Sequence, residues 1–116
     1  MNTVNSVAII GAGNMGSGIA QKSAQEQFEV QMVDREKQWV ERGEKIINDF
    51  LEEAIDRRIF KPEKIEEIKN RITGVVGTEN VSPDTDLVIE AVFEDFEIKK
   101  EVFNILDRVC GEKTIL

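Results

Sequence analysis

Apolar residues recur along this chain with two alternating periods. Ser6-Val7-Ala8-Ile9-Ile10 is short and almost uniformly apolar, the pattern of a central parallel strand covered on both faces. From Asn14 to about Gln25 the period lengthens, and Met15, Ile19, Ala20 and Ala24 fall on one helical face. Phe28, Val30 and Met32 then alternate with Glu29 and Gln31, which predicts a strand ending at Val33-Asp34.

Between Lys37 and Ile59 apolar residues stand at 39/40, 46/47, 50/51, 54/55 and 59, a stripe sustained for about six helical turns. Glu41/Lys45 and Glu53/Arg57 have the i,i+4 spacing of ion pairs along that helix. Arg58-Ile59-Phe60-Lys61 reads as a turn, because Pro62 suits the first position of a second helix that carries Ile65, Ile68 and Ile72. The two segments form a helical hairpin over about residues 36–72. A short strand is expected at Thr73–Val76 and a loop from Gly77 to Asp84, rich in turn formers. Residues 86–92 read as a buried strand bounded by acids. From Asp95 to Cys110 a helix places Ile98, Val102, Ile105, Leu106 and Val109 on one face and stops at Gly111. Thr114-Ile115-Leu116 has the look of a further strand opening. Strands alternating with helices predict an α/β, Rossmann-like, mostly parallel sheet with helices on both faces and the hairpin inserted after the second strand.

The link between the first strand and the first helix is Gly11-Ala12-Gly13-Asn14-Met15-Gly16, and Asp34 closes the second strand 18 residues beyond Gly16. Each glycine has a separate use: Gly11 for the tight turn, Gly13 for close approach of the backbone to a pyrophosphate, Gly16 for close packing of helix on sheet. The helix start near Asn14 offers unpaired N–H groups and the positive end of its dipole to phosphate oxygens. A carboxylate at Asp34 can accept both hydroxyl protons of an adenosine ribose and repels a 2′-phosphate, which favours NAD over NADP; Arg35 beside it softens that choice. Asp34 also suits the N-terminal cap of the following helix.

Composition narrows the alternatives. The chain has 116 residues, enough for one domain, and 15 basic against 23 acidic residues give a net charge of -8. That balance argues against nonspecific attraction to nucleic acid or an anionic membrane surface. From Arg35 to Arg71, 10 basic residues match 10 acidic ones, so this neutral stretch repels a phosphorylated ligand least. The single cysteine, Cys110, fits a reducing compartment and a small buried residue near a helix end. No run resembles a secretory signal or a membrane span, so a cytoplasmic protein is expected. No metal site is expected.

The glycine turn, Val33-Asp34, the helical hairpin and the stretch from Leu87 to Phe103 together closely resemble the NAD-binding domain of the 3-hydroxyacyl-CoA dehydrogenases. The resemblance covers the whole chain, and Leu87 to Phe103 is its most specific part, since many dehydrogenases share the glycine turn. It implies that the backbone at Ala91 faces the cofactor and that Glu94 and Lys99 contact the nicotinamide half of NAD. It further implies that the hairpin helps to hold coenzyme A, for which Arg57, Arg58 and Lys61 at its tip are the candidate phosphate partners. Phe50 departs from the pattern, standing where the family commonly has a serine.

In this family a 3-hydroxyacyl-CoA is oxidised as hydride moves from C3 to the nicotinamide, while a His/Glu pair, helped by Ser and Asn, removes the hydroxyl proton. Those residues follow the position of Leu116, and this chain contains no histidine. The expectation is therefore one NAD-binding domain over residues 1–116, incomplete at its C-terminus, with no catalytic residue of its own. Dimerisation, usual in the family, falls to the domain that follows. Two other readings stay open: a domain of the 3-hydroxyisobutyrate or 6-phosphogluconate dehydrogenase type, whose pattern lacks the hairpin, and a non-catalytic regulatory nucleotide binder.

Overall fold

The structure, a computed structural model, describes residues 4–91 and 96–110. Its elements alternate as β1 (Ser6–Ile10), α1 (Asn14–Gln25), β2 (Glu29–Asp34), α2 (Lys37–Asp56), α3 (Pro62–Asn70), β3 (Ile72–Val76), β4 (Leu87–Glu90) and α4 (Phe96–Val109), with one 3₁₀ turn at Thr78–Asn80. The four strands form one sheet in the order β3-β2-β1-β4, and every pair is parallel.

Strand β1 is apolar throughout because both of its faces are covered. Val7 and Ile9, with Val30 and Met32 of β2, pack against Ala20 and Ala24 of α1, Ile47 and Leu51 of α2, and Ile65 and Ile68 of α3. Ala8 and Ile10 point the other way and join Val33, Val88, Val81 and the α4 residues Val102 and Leu106. The result is a three-layer arrangement, helices on both faces of a parallel sheet, as the alternation of periods predicts. Of the two polar positions that alternate along β2, Glu29 is exposed but Gln31 is not. Gln31 is half-buried: its Nε2 donates to Thr85 Oγ1 at 2.7 Å, and its Oε1 accepts from the Ser82 N–H at 2.8 Å. A side chain of β2 thus ties down the loop that leads into β4.

Several local expectations are corrected. Ile72 is not on the second hairpin helix but opens β3, in register with Val30. Helix α2 ends at Asp56, three residues short of Ile59. Its buried line is Val40, Gly43, Ile47, Leu51 and Ala54, while Trp39, Phe50 and Ile59 are exposed. On α1 the buried residues are Gly16, Ser17, Ala20 and Ala24, and Met15 stands 71% exposed. In both helices the rotation about the axis is set by the residue that allows the closest approach, a glycine, which carries no hydrophobic signal. The Glu53–Arg57 pair forms at 2.7 Å, but Lys45 pairs with Asp49 rather than Glu41, which instead lies 3.8 Å from Lys37. The proposed helix stop at Gly111 and the strand at Thr114–Leu116 lie outside the described residues.

Candidate functional site

The site is built where the carboxyl ends of the strands meet. Chain order leaves β1 for β2 and β3 on one side and returns to β4 on the other, so the ends of β1 and β4 flank a change of direction, the usual ligand crevice of an open parallel sheet. Four short hydrogen bonds knit this edge together. The Gly11 N–H donates to Val33 O at 2.6 Å, and the Gly77 N–H to Asp34 O at 2.8 Å. The Ala91 N–H donates to Ile10 O at 2.7 Å, and the Ala12 N–H to Asp34 Oδ2 at 2.9 Å.

Within the turn the three glycines separate by cause. Gly11 has φ +115°, a conformation open to glycine and strained for other residues. A Cβ at Gly16 would overlap the carbonyl of Gly11, so α1 can sit where it does only without a side chain there. Gly13 is different. Its φ of -77° is ordinary, and a Cβ built on it meets nothing within 4 Å. Neither backbone angle nor packing demands a glycine at 13, and the free space before it is what a closely approaching ligand requires. Gly13 caps α1 without any side-chain hydrogen bond, and the first helical bond runs from the Ser17 N–H to Gly13 O at 2.8 Å. The N–H groups of Asn14, Met15 and Gly16 therefore have no acceptor within the helix and lie at its positive end.

Asp34 has a second occupation that its spacing alone does not reveal. Besides holding the Ala12 N–H, its Oδ1 accepts from the Arg35 N–H at 2.7 Å. An ionised carboxylate has about four acceptor positions, so each oxygen retains room for one more donor, the number a ribose diol supplies. The carboxylate is fixed by the turn it serves. Glycine turn and acid, 22 residues apart in the case of Ala12 and Asp34, are thereby in direct contact.

Gly43 is a neighbour of the turn that pattern reading passes over. It lies in the middle of α2, and a Cβ on it would stand 2.7 Å from Ala12 O and 2.9 Å from Ala12 Cβ. An isolated glycine inside a long helical pattern was the available signal. The remaining candidates are placed as follows. Ala91 is at the crevice, bonded to the end of β1. Glu94 lies outside the described residues, and Lys99 is on the first turn of α4 with its side chain likewise outside them. Arg57, Arg58 and Lys61 are at the far end of α2, 14 residues past Gly43 or more, which is about 20 Å from the glycine turn along the helix axis. Arg57 is paired with Glu53, Arg58 takes φ +58°, and Lys61 caps α3. The structure does not bring these three to the turn.

Residues 6–116 match the model of the 3-hydroxyacyl-CoA dehydrogenase NAD-binding domain. The chain belongs to this family. A probable 3-hydroxybutyryl-CoA dehydrogenase of Bacillus subtilis is 34% identical over 113 residues, covering 97% of this chain and 39% of that protein. A peroxisomal bifunctional enzyme of Danio rerio is 36% identical, covering 97% of this chain but 15% of its own length. The crystal structure of (S)-3-hydroxybutyryl-CoA dehydrogenase from Ralstonia eutropha superposes with a TM-score of 0.91 at 31% identity, over 97% of this chain and 40% of that one. The chain thus spans about two fifths, or less, of the relatives it matches. As a member of the 3-hydroxyacyl-CoA dehydrogenase NAD-binding domains it has NAD as its cofactor.

Proposed function

We propose that this chain is the cofactor-holding part of an enzyme that oxidises (S)-3-hydroxyacyl-CoA to 3-oxoacyl-CoA. The observation that carries the reading is Gly13, an ordinary backbone position left open in front of an uncapped helix start, with Asp34 braced beside it. NAD, when bound, supplies the hydride acceptor. The first N–H groups of α1 hold the pyrophosphate, and Asp34 accepts the ribose hydroxyls. To Ala91, Glu94 and Lys99 we assign the nicotinamide half of NAD. Arg57, Arg58 and Lys61, about 20 Å away, are candidate partners for the phosphates of coenzyme A, a use for cations at a hairpin tip remote from the turn.

The 116 residues contain no histidine, so this chain alone has no imidazole to take the hydroxyl proton. Turnover then needs the region in which the longer relatives extend beyond the match, which is also the region to which we assign dimer formation. We place the protein in the cytoplasm on its lone cysteine; among the described residues no helix is long and apolar enough to cross a membrane. The names of relatives from Danio rerio and Sus scrofa place those proteins in peroxisomes and mitochondria.

Calorimetric titration tests the reading. Wild type should bind NAD in preference to NADP, and Asp34→Ala should weaken NAD by about tenfold or more, the order of a lost hydrogen bond to a charged group, ~1.5–3 kcal/mol. Equal NAD affinity in the two proteins would remove the ribose assignment. Measurable reduction of acetoacetyl-CoA by the chain alone would contradict its assigned division of labour.

A further inference from the structure

Helix α2 has 20 residues, and its interior glycine, Gly43, is unfavourable there compared with alanine. Its backbone conformation does not require a glycine, since it lies within a regular α-helix. The reason lies against the turn. A Cβ on Gly43 would come to 2.7 Å from Ala12 O, 2.9 Å from Ala12 Cβ and 3.0 Å from Met32 Cε. Two of these neighbours belong to the second residue of the glycine turn, which is itself 1% exposed.

Ala12 is consequently gripped from two directions. Asp34 Oδ2 takes its N–H at 2.9 Å, and α2 closes on its carbonyl. In a trans peptide the carbonyl and the following N–H point to opposite sides. With the Ala12 carbonyl turned toward Gly43, the Gly13 N–H is turned away from α2, and a Cβ built on Gly13 meets nothing within 4 Å.

We propose that Gly43 is a positioning residue for the dinucleotide: the missing side chain lets α2 seat against Ala12 and so fixes the Ala12–Gly13 peptide with its N–H toward the pyrophosphate. The proposal rests on the NAD-binding reading. It assigns to α2 a part in shaping the phosphate site, although no atom of α2 need touch the cofactor.

The test compares three variants of the whole chain with wild type. Gly43→Ala introduces the contact. Ala12→Gly with Gly43→Ala removes the Ala12 Cβ again, one of the three groups in the way. Gly18→Ala is the control, a helical glycine on α1 whose added Cβ meets nothing within 4 Å. NAD affinity is read by calorimetry, folding by thermal melting, and the peptide itself by the amide resonance of Gly13 in ligand-free ¹⁵N-labelled protein.

Gly43→Ala should stay folded at the assay temperature, shift the Gly13 amide and weaken NAD by about tenfold. The double variant should recover part of that loss, and Gly18→Ala should bind as wild type does. Wild-type affinity and an unshifted Gly13 amide in Gly43→Ala would overturn the proposal while leaving the NAD reading intact. So would a loss of binding explained wholly by unfolding, with no shift in the folded fraction. A wild-type chain that does not bind NAD would overturn the NAD reading, and this proposal with it.

Discussion

At the scale of single residues, Gly13 and Gly16 make opposite predictions although both belong to one motif. Alanine at 13 meets no neighbour, so Gly13→Ala should lower stability by about 1 kcal/mol or less, the difference between glycine and alanine at a helix cap, while NAD binding falls sharply. Alanine at 16 collides with the Gly11 carbonyl, so Gly16→Ala should lose about 1–3 kcal/mol or more of stability together with NAD binding. Urea denaturation beside calorimetry separates the two, and equal stability losses would show that Gly13 is held by packing after all. Gln31 supplies a third case. Truncation to alanine strands the part-buried Ser82 N–H and takes one donor from the Thr85 hydroxyl, which keeps its bond to Ser82 O at 2.7 Å, so Gln31→Ala should cost about 1–3 kcal/mol. A loss below a few tenths would mean that water replaces the amide.

At the scale of elements, the start of β1 is pinned to the start of β4 by one carboxylate. Asp86 Oδ2 accepts from the Asn5 N–H at 2.9 Å and the Ser6 N–H at 3.0 Å, and these two backbone bonds hold its carboxyl below the usual aspartate range. A depressed native value means that the unfolded chain takes up the proton first as pH falls. The contribution of Asp86 is therefore complete above the ordinary aspartate range and disappears as the pH drops through the lowered value. Asp86→Asn should flatten the acid limb of the stability curve there and leave its slope above that range unchanged, as followed by thermal melting across acidic buffers. An unchanged acid limb would detach the pair of bonds from folding.

The elements were mostly legible because their periods are strong. The uniform run of β1 announces two covered faces, and Pro62 and the apolar spacing around it announce α3. What stayed hidden has a common cause. The exposed positions of Met15, Trp39 and Phe50 follow from the rotation of α1 and α2 about their axes, fixed by Gly16 and Gly43, which add nothing to an apolar pattern. Alternation places Gln31 on the opposite side of β2 from Val30 and Met32 but cannot report a loop distant in sequence that its amide holds. Lys45 had acids both four residues before and four after it, and spacing does not choose between them.

At the scale of the whole molecule, the functional claim depends on one edge of one sheet. The parallel order β3-β2-β1-β4 puts the glycine turn, Asp34 and Ala91 at the same edge, although they come from three separate stretches of sequence. The motif spacing makes that edge legible in the sequence. The bracing of Asp34 by Ala12 and of Ala12 by α2 was not readable, because both are contacts across elements. Hairpin tip and turn, in contrast, lie about 20 Å apart along α2. That separation makes a map of amide shifts decisive. When NAD is titrated into ¹⁵N-labelled protein, the amides of Ala12, Gly13, Asn14, Met15, Gly16 and Arg35 should shift together along one binding curve, with Arg57, Arg58 and Lys61 unmoved. Shifts centred on the hairpin tip, or none at the turn at saturating NAD, would contradict the account.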